Sequence, residues 1–498
     1  MGAATSIAAF VGWAARGPTQ YAGPVQSWAD FERIYGGFDA RSPHLGHGVN
    51  HFFSNGGQQA YIVRVVYSGP PTASLTPAGS ASLKLGGLTF TAGAADPDGA
   101  VDRAANPGVW AQDYGIAIQN LDTSAGRFRV HVVYAPPGAP SEVVVESFEN
   151  LSIAAPDPQG RFIADAINKQ SSFVTVAVDK DTKTPPGDTG LPSPKLKGKA
   201  TDDGTVLLPS ASAAAGGEFE IAVAASTAIL DQIDLFNLLC VPGEIEAATI
   251  GALEKYCEGR RAFLIADSDP SVTDVSKISG PPTTGANGAI YFPWVIAPDP
   301  ANENQPRSFP PSGFVAGVYA QTDETRGVWK PPAGTGAILR GASGVSVPLT
   351  DGETGILGAK AINTIRSFPS QPILVWGART TQGSDALASE WKYIPVRRTA
   401  LFIEESLYRG LKWVVFEPNG EPLWGQIRLS VGAFMQTLFQ QGAFQGQTAS
   451  QAYVVKCDNE TTTQTDIDQG VVNIVVGFAP LKPGEFVLIR VQEKAGKP

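Results

Sequence analysis

Residues 391–444 read WKYIPVRRTALFIEESLYRGLKWVVFEPNGEPLWGQIRLSVGAFMQTLFQQGAF, followed by YVVKCDN at 453–459 and GFAPLKPGEFVLIRV at 477–491. The spacing predicts two amphipathic helices, with the apolar run between them, LKWVVFE at 411–417, as a buried strand. The chain then closes on a short apolar strand, Phe486, Val487, Leu488, Ile489 and Arg490, with a polar tail from Gln492 to Pro498. A strand at a chain end offers a row of unpaired backbone donors and acceptors and is free to pair outside its own domain. The arrangement therefore points to a link between subunits.

Working outward, the 498 residues exceed one hydrophobic core and suggest three or four domains. With 43% hydrophobic and 17% charged residues the chain reads as globular rather than disordered. The 55 glycines and 39 prolines favour a turn-rich, partly β architecture. A formal charge of -10 excludes a nucleic-acid-coating protein, which would present basic patches. No apolar run approaches the roughly 18 residues of a membrane span, and no basic-then-apolar leader opens the chain. Cys240, Cys257 and Cys457 are odd in number and far apart, and read as reduced, buried thiols of a protein made in the cytoplasm.

Residues 1–67 carry an apolar strand TSIAAFV at 5–11, a helix WADFERIY at 28–35 and a β-branched strand AYIVRVV at 60–66. Ser42-Pro43 is expected to cap a further helix running to Asn55-Gly56-Gly57. From 68 to 226 short alternating segments (YGIAIQNL, RFRVHVVY, SEVVVESF) predict a β-rich inserted domain on the surface, with TKTPPGDTGLPSPKLKGK at 182–199 as a mobile loop or linker. From 227 to 380 strand, helix and strand follow in FNLLCVPG, EIEAATIGALEKYCEGR and AFLIADS, a βαβ-like unit. IYFPWVIA at 290–297 adds a strand, PPSGFVAGVYAQTDETRGVWKPPAG a small-residue helix, GILGAKAINTIRSF a helix or loop, and ILVWGART a strand. Residues 381–498 form the last domain. The fold class is thus α+β and multidomain: a mixed α/β core split by a β-rich insertion, with a C-terminal α+β domain.

Candidate chemistry is thin. His44, His47 and His51 fall on one helix stripe roughly 60° wide, opposite Leu45, Val49, Phe52 and Phe53. That spacing could ligate a metal, but no nearby carboxylate or cysteine completes a shell. Solvated or interface residues, or a pH-sensitive contact with a neighbouring subunit, fit better. Glu404 and Glu405 point about 100° apart on a helix and cannot act as a carboxylate pair. Glu417 and Glu421 read as turn and helix-start residues. GETGILGAK at 352–360 lacks the Lys-Ser/Thr ending of a phosphate loop. No metal, cofactor or catalytic constellation is expected. The alternative, an α/β enzyme with a β-rich accessory domain, rests only on the βαβ texture.

The order and wording of the segments resemble contractile tail sheath proteins of phage tails and phage-like contractile injection systems. TSIAAFVG, SWADFERIYGG and FFSNGGQQAYIVRVV match the family's opening, AANPGVWAQDYGIAI and VVVESFENLSI its middle. FNLLCVPG, YFPWVIAPDP, SVPLTDGETGILGAKAINTIRSFPSQPILVWGARTT and WKYIPVRRTALFIEESL follow in family order. The resemblance implies a structural subunit that forms a helical or stacked-ring homopolymer of hexameric rings around an inner tube protein. It also implies baseplate and terminal cap proteins as partners, and contraction that drives the tube through a target envelope. Family members add strands to neighbours through arms at both ends. This chain passes from Met1 straight into TSIAAFVG, so only the C-terminal arm carries over by residues: either the mesh is built differently, or this form is truncated, or it pairs with a second sheath paralogue that has the other arm. The C-terminal domain should face the tube, with Lys392, Arg397, Arg398, Arg409 and Lys412 as the tube-facing candidates. Neither nucleic acid nor membrane insertion is implied.

Overall fold

The strand Ala8–Trp13 is buried at all six residues and lies inside an eight-stranded sheet of the computed structural model, which describes residues 2–66, 80–93, 108–122, 124–136, 138–197, 206–209 and 217–485. An unbroken apolar strand is what a parallel sheet covered on both faces requires. Across the sheet the order is Ile373–Trp376, Ile362–Ser367, Gly288–Phe292, Phe263–Asp267, Leu238–Cys240, Ala8–Trp13, Ala60–Val65 and Gly23–Val25. The inner strands all run parallel, and each edge is closed by an antiparallel strand. Residues before 66 and after 217 therefore build one sheet, with the N-terminal strand inside it, third from one edge.

Successive side chains alternate between two cores. Ala8 and Phe10 enter one with Leu45, Val49, Phe52, Phe314, Val315 and Val318 from the helices Leu45–Ser54 and Ser312–Arg326. Ala9, Val11 and Trp13 enter the other with Phe219, Val223, Ile250 and Leu253 from the helices Glu218–Leu230 and Ala247–Arg260. The first helix pair crosses on glycine: a Cβ on Gly313 would sit 2.3 Å from the carbonyl oxygen of Gly48. The molecule is a mixed α+β protein of several sheets, its body a helix–sheet–helix sandwich.

Several local expectations are corrected. Leu45–Ser54 starts after His44, which makes no side-chain cap, so Ser42 is not the N-cap. IYFPWVIA splits at Pro293-Trp294 into Gly288–Phe292 of the large sheet and Val295–Asp299 of a small antiparallel one. GETGILGAK begins in the helix Asp351–Ala359, opened by a Thr350–Glu353 capping box, and the strand Ile362–Ser367 follows. The 226/227 boundary falls inside Glu218–Leu230, whose Phe219, Val223 and Leu230 pack on the large sheet.

Residues 80–197 have a core of their own. Two three-stranded sheets, Ser82–Leu85 with Leu88–Ala92 and Val174–Val178, and Tyr114–Asp122 with Arg127–Tyr134 and Val143–Leu151, enclose Ile116, Phe128, Val130 and Phe148 with the helix Ile163–Gln170. The 182–197 stretch is no free linker. Ile118 N donates to the Thr189 hydroxyl, Ile116 N to the carbonyl of Pro194, and Ser82 exchanges backbone bonds with Lys197. Arg16 joins this unit to the body, bonding the Tyr114 hydroxyl at 3.0 Å over the ring of Phe173.

Candidate functional site

The helices Ile394–Gly410 and Glu421–Gln440 gather Ile403, Leu423, Trp424, Ile427, Val431 and Met435 into a fourth core. The segment between them is not a buried strand. Lys412–Val414 is one turn of 3-10 helix; Val415 and Phe416 are exposed, and Phe416 holds a left-handed backbone with φ of 71°. A left-handed phenylalanine costs about 1 kcal/mol. An apolar run is buried only where something lies against it: Leu411 and Val414 pack on the C-terminal core, while no described residue covers Val415 and Phe416.

Beside it lies a groove of about 1260 Å³ whose walls include Leu411, Val414, Phe416, Val472, Val476 and Phe478. The last two belong to Val475–Phe478, which pairs antiparallel with Tyr453–Lys456 in a sheet of two strands among the described residues. A two-stranded sheet is marginal by itself, and both strands leave an edge without a sheet partner among the described residues. The described chain ends at Glu485, so Phe486, Val487, Leu488, Ile489 and Arg490, the expected linking strand, lie outside the described residues.

The five basic residues expected to face a tube are tied mostly to their own subunit. Arg398 is the clear correction. Its side chain is 4% exposed, its guanidinium meets both oxygens of buried Asp323 at 2.9 and 2.6 Å, and it also bonds the carbonyl of Thr5. Its half of the Ile394–Gly410 helix is buried on nearly every side, because it forms the seam between the sandwich and the C-terminal core. Arg397 bonds Asn287 and Glu404, and Lys392 bonds Asp385. Arg409 reaches Asp234 at 2.7 Å and Glu405 at 2.6 Å, and Glu405 also accepts from Arg261. Glu405 is thus buried, not an exposed helix residue. Lys412 is exposed and lies over the ring of Tyr408.

The three histidines are corrected too. His47 and His51 are buried, and Nε2 of His47 lies 2.9 Å from Oδ1 of Asp299. Arg307 takes the other Asp299 oxygen at 3.1 Å, and Phe309 and Phe314 stack on the imidazoles. Burial pushes all three histidines down, His44 to about 4 with the Arg307 charge adding to it. Burial alone would raise Asp299, but the bonds from Arg307 and His47 outweigh it and hold the carboxylate low. The carboxylate was invisible to spacing, lying 252 residues away. No group of three metal-ligating side chains occurs among the described residues.

A finished interior beside an unfinished, strand-edged end defines a structural assembly subunit. The phage tail sheath protein central domain matches residues 221–381, and the phage tail sheath C-terminal domain matches residues 388–494. Together these cover more than half of the chain, which belongs to the phage tail sheath family and is a sheath subunit. A prophage major tail sheath protein of Pseudomonas aeruginosa (strain UCBPP-PA14) is 27% identical over 277 residues, 53% of this chain and 68% of that protein. In fold, the chain is similar to the sheath of the extracellular contractile injection system PVC in its contracted state (TM-score 0.60, 20% identity, 99% of this chain and 93% of that one). It is likewise similar to the contracted helical sheath of the anti-feeding prophage (TM-score 0.58, 24% identity, 99% and 95%).

Proposed function

We propose that copies of this chain polymerise around the inner tube of a phage-like contractile injection system and contract to drive that tube through a target envelope. The observation that supports this best is the sheet Tyr453–Lys456 and Val475–Phe478, two-stranded and open at its edges among the described residues, with the expected linking segment 486–490 seven residues beyond it. A strand from a neighbour would complete such a sheet by backbone bonds, which hold while the side-chain surfaces of two subunits slide. Rings of six, a baseplate and a terminal cap are the partners this role needs, assembled in the cytoplasm into the particle. Contraction runs downhill if the compact packing buries more apolar surface, at roughly 25 cal/mol per Å². Repeated over many identical interfaces, a few kcal/mol per subunit suffices.

Within this reading the division 1–67, 68–226, 227–380 and 381–498 shifts its second boundary to about 217. The inserted unit, attached through Arg16, decorates the outside. Lys412, with the exposed part of Arg409, is the candidate for weak, screened contacts with acidic groups on the tube.

Negative-stain electron microscopy of the purified chain, alone and with tube protein, tests the proposal. Hollow ridged cylinders from the full chain, absent from a copy truncated before Gly484, are expected. Monodisperse subunits from the full chain under both conditions would overturn it.

A further inference from the structure

Glu485 is the last described residue before the linking segment, and its carboxylate is held by a residue of the sandwich more than a hundred positions earlier. Nε of Arg379 donates to Oε1 and Nη2 to Oε2, both at 2.7 Å, a two-pronged pair, and the Tyr393 hydroxyl adds a bond at 3.2 Å. Planar forks of this kind fix direction as well as distance.

Arg379 is itself immobilised. Its side chain is 4% exposed, and Nη1 bonds the carbonyls of Gly358 and Gly383 and the carboxylate of Asp385. Its backbone is clasped from both sides by the Asn363 amide, through N–H to Oδ1 and carbonyl to Nδ2, each at 2.7 Å. Asn363 is buried within Ile362–Ser367, a strand of the large sheet. A rigid chain of contacts thus runs from the large sheet through Asn363 and Arg379 to Glu485. Upstream, the previous fixed point of the chain is the bridge of Pro480 to Phe444, in the C-terminal core.

We propose that the Arg379–Glu485 pair anchors the root of the C-terminal arm, so that a neighbour's pull on the arm is delivered into the large sheet rather than into the two-stranded one. This rests on the reading of 486–490 as the inter-subunit strand. Were the anchor absent, the free tether would begin near Pro480, about five residues or roughly 17 Å earlier. A longer, less directed tether lowers the effective concentration of its strand at the neighbour. The pull would also peel Val475–Phe478 from its one partner strand. Glu485 is therefore a positioning residue for assembly, and Arg379 its fixed mount.

The test uses the full chain with three variants: Glu485→Ala, Glu485→Gln and the truncation before Gly484. Assembly is followed by sedimentation, and the unassembled subunits are melted in parallel. Glu485→Ala should raise the critical concentration for assembly about tenfold while shifting the subunit's melting temperature no more than the truncation before Gly484 does, because both remove the same three bonds at the arm's root. Glu485→Gln, isosteric but neutral, should fall between, and it serves as the deciding variant if the alanine form does not fold. Wild-type assembly by both substituted forms, with the truncation inactive, would overturn the anchor and leave the arm reading standing. Wild-type assembly by the truncation would overturn the arm reading and the anchor with it.

Discussion

Phe10 and Phe416 mark the two extremes of this molecule. Phe10, in the central strand of the sandwich, has no exposed surface and packs edge-on against Phe52. Phe416, at the turn between the two C-terminal helices, is as exposed as a free side chain and sits on a left-handed backbone. The sandwich covers both faces of its sheet, and its edge strand Ile373–Trp376 is bonded along its outer side by residues 334–339. Among the described residues the C-terminal region keeps an apolar groove, two open strand edges and a strained aromatic tip. One region specifies the subunit, and the other, on the proposed function, is completed by a neighbour. Substitutions in the first should be felt in the isolated chain, those in the second in the polymer.

The sharpest break would come from Phe10→Ala. A void against Phe52 in a closed core should cost about 3–5 kcal/mol in urea unfolding of the unassembled subunit. A loss under 1 kcal/mol would mean the sandwich is not the stability-determining region.

Next comes the seam. Arg398→Met leaves Asp323, 2% exposed, without its partner, and should cost about 3 kcal/mol. Adding Asp323→Leu should recover most of that loss, since two apolar side chains can replace a buried ion pair. If the double variant stays as unstable as the single one, the pair fixes the docking of the C-terminal core in a way charge burial does not explain.

A smaller effect is expected at the histidine cluster, and it appears as a pH slope. His44 faces Trp294, the Arg307 guanidinium and His47, while His47 faces Asp299. Burial holds His44 at about 4, against an ordinary value of 6.5. A lowered folded value means stability present above about 6.5 and lost as pH falls towards 4. Asp267, raised by burial to about 7, titrates in the opposite sense, so the measurement is a difference. Relative to His44→Phe, the wild-type subunit should lose on the order of 2 kcal/mol between pH 6.5 and 4. Parallel pH profiles would show that His44 is solvated in the folded chain.

The same contrast explains what the sequence could disclose. AFLIADS and FNLLC announce themselves because a strand buried on both faces is apolar at every position, a pattern local to a few residues. Helices such as Ala247–Arg260 likewise fit their turn signals. The KWVVF run misleads for a physical reason: its composition matches a buried strand, but among the described residues only Val414 of the run packs on the C-terminal core, and nothing described covers Val415 and Phe416. Arg398, His47 and Glu485 fail differently. Each looks like a surface residue until Asp323, Asp299 or Arg379 is brought to it from far along the chain. Pairwise burial of charge leaves no periodic trace.

The smallest effect on the subunit belongs to Phe416, and it divides the two regions most cleanly. Replacing it with glycine removes no buried contact and relieves the left-handed backbone, where only glycine is at ease. Glycine also loosens the unfolded chain, which offsets part of that relief. The isolated Phe416→Gly subunit should therefore melt within about 1 kcal/mol of wild type, on either side. Its assembly should weaken nonetheless, because the exposed ring is an apolar tip beside the groove that no described residue covers, a surface suited to another molecule. Sedimentation of polymer and melting of subunit, run on the same preparation, read the two effects separately. If assembly is untouched and only the melting curve moves, the strained aromatic serves the fold of its own chain, and the division between a self-sufficient sandwich and a neighbour-completed end must be redrawn.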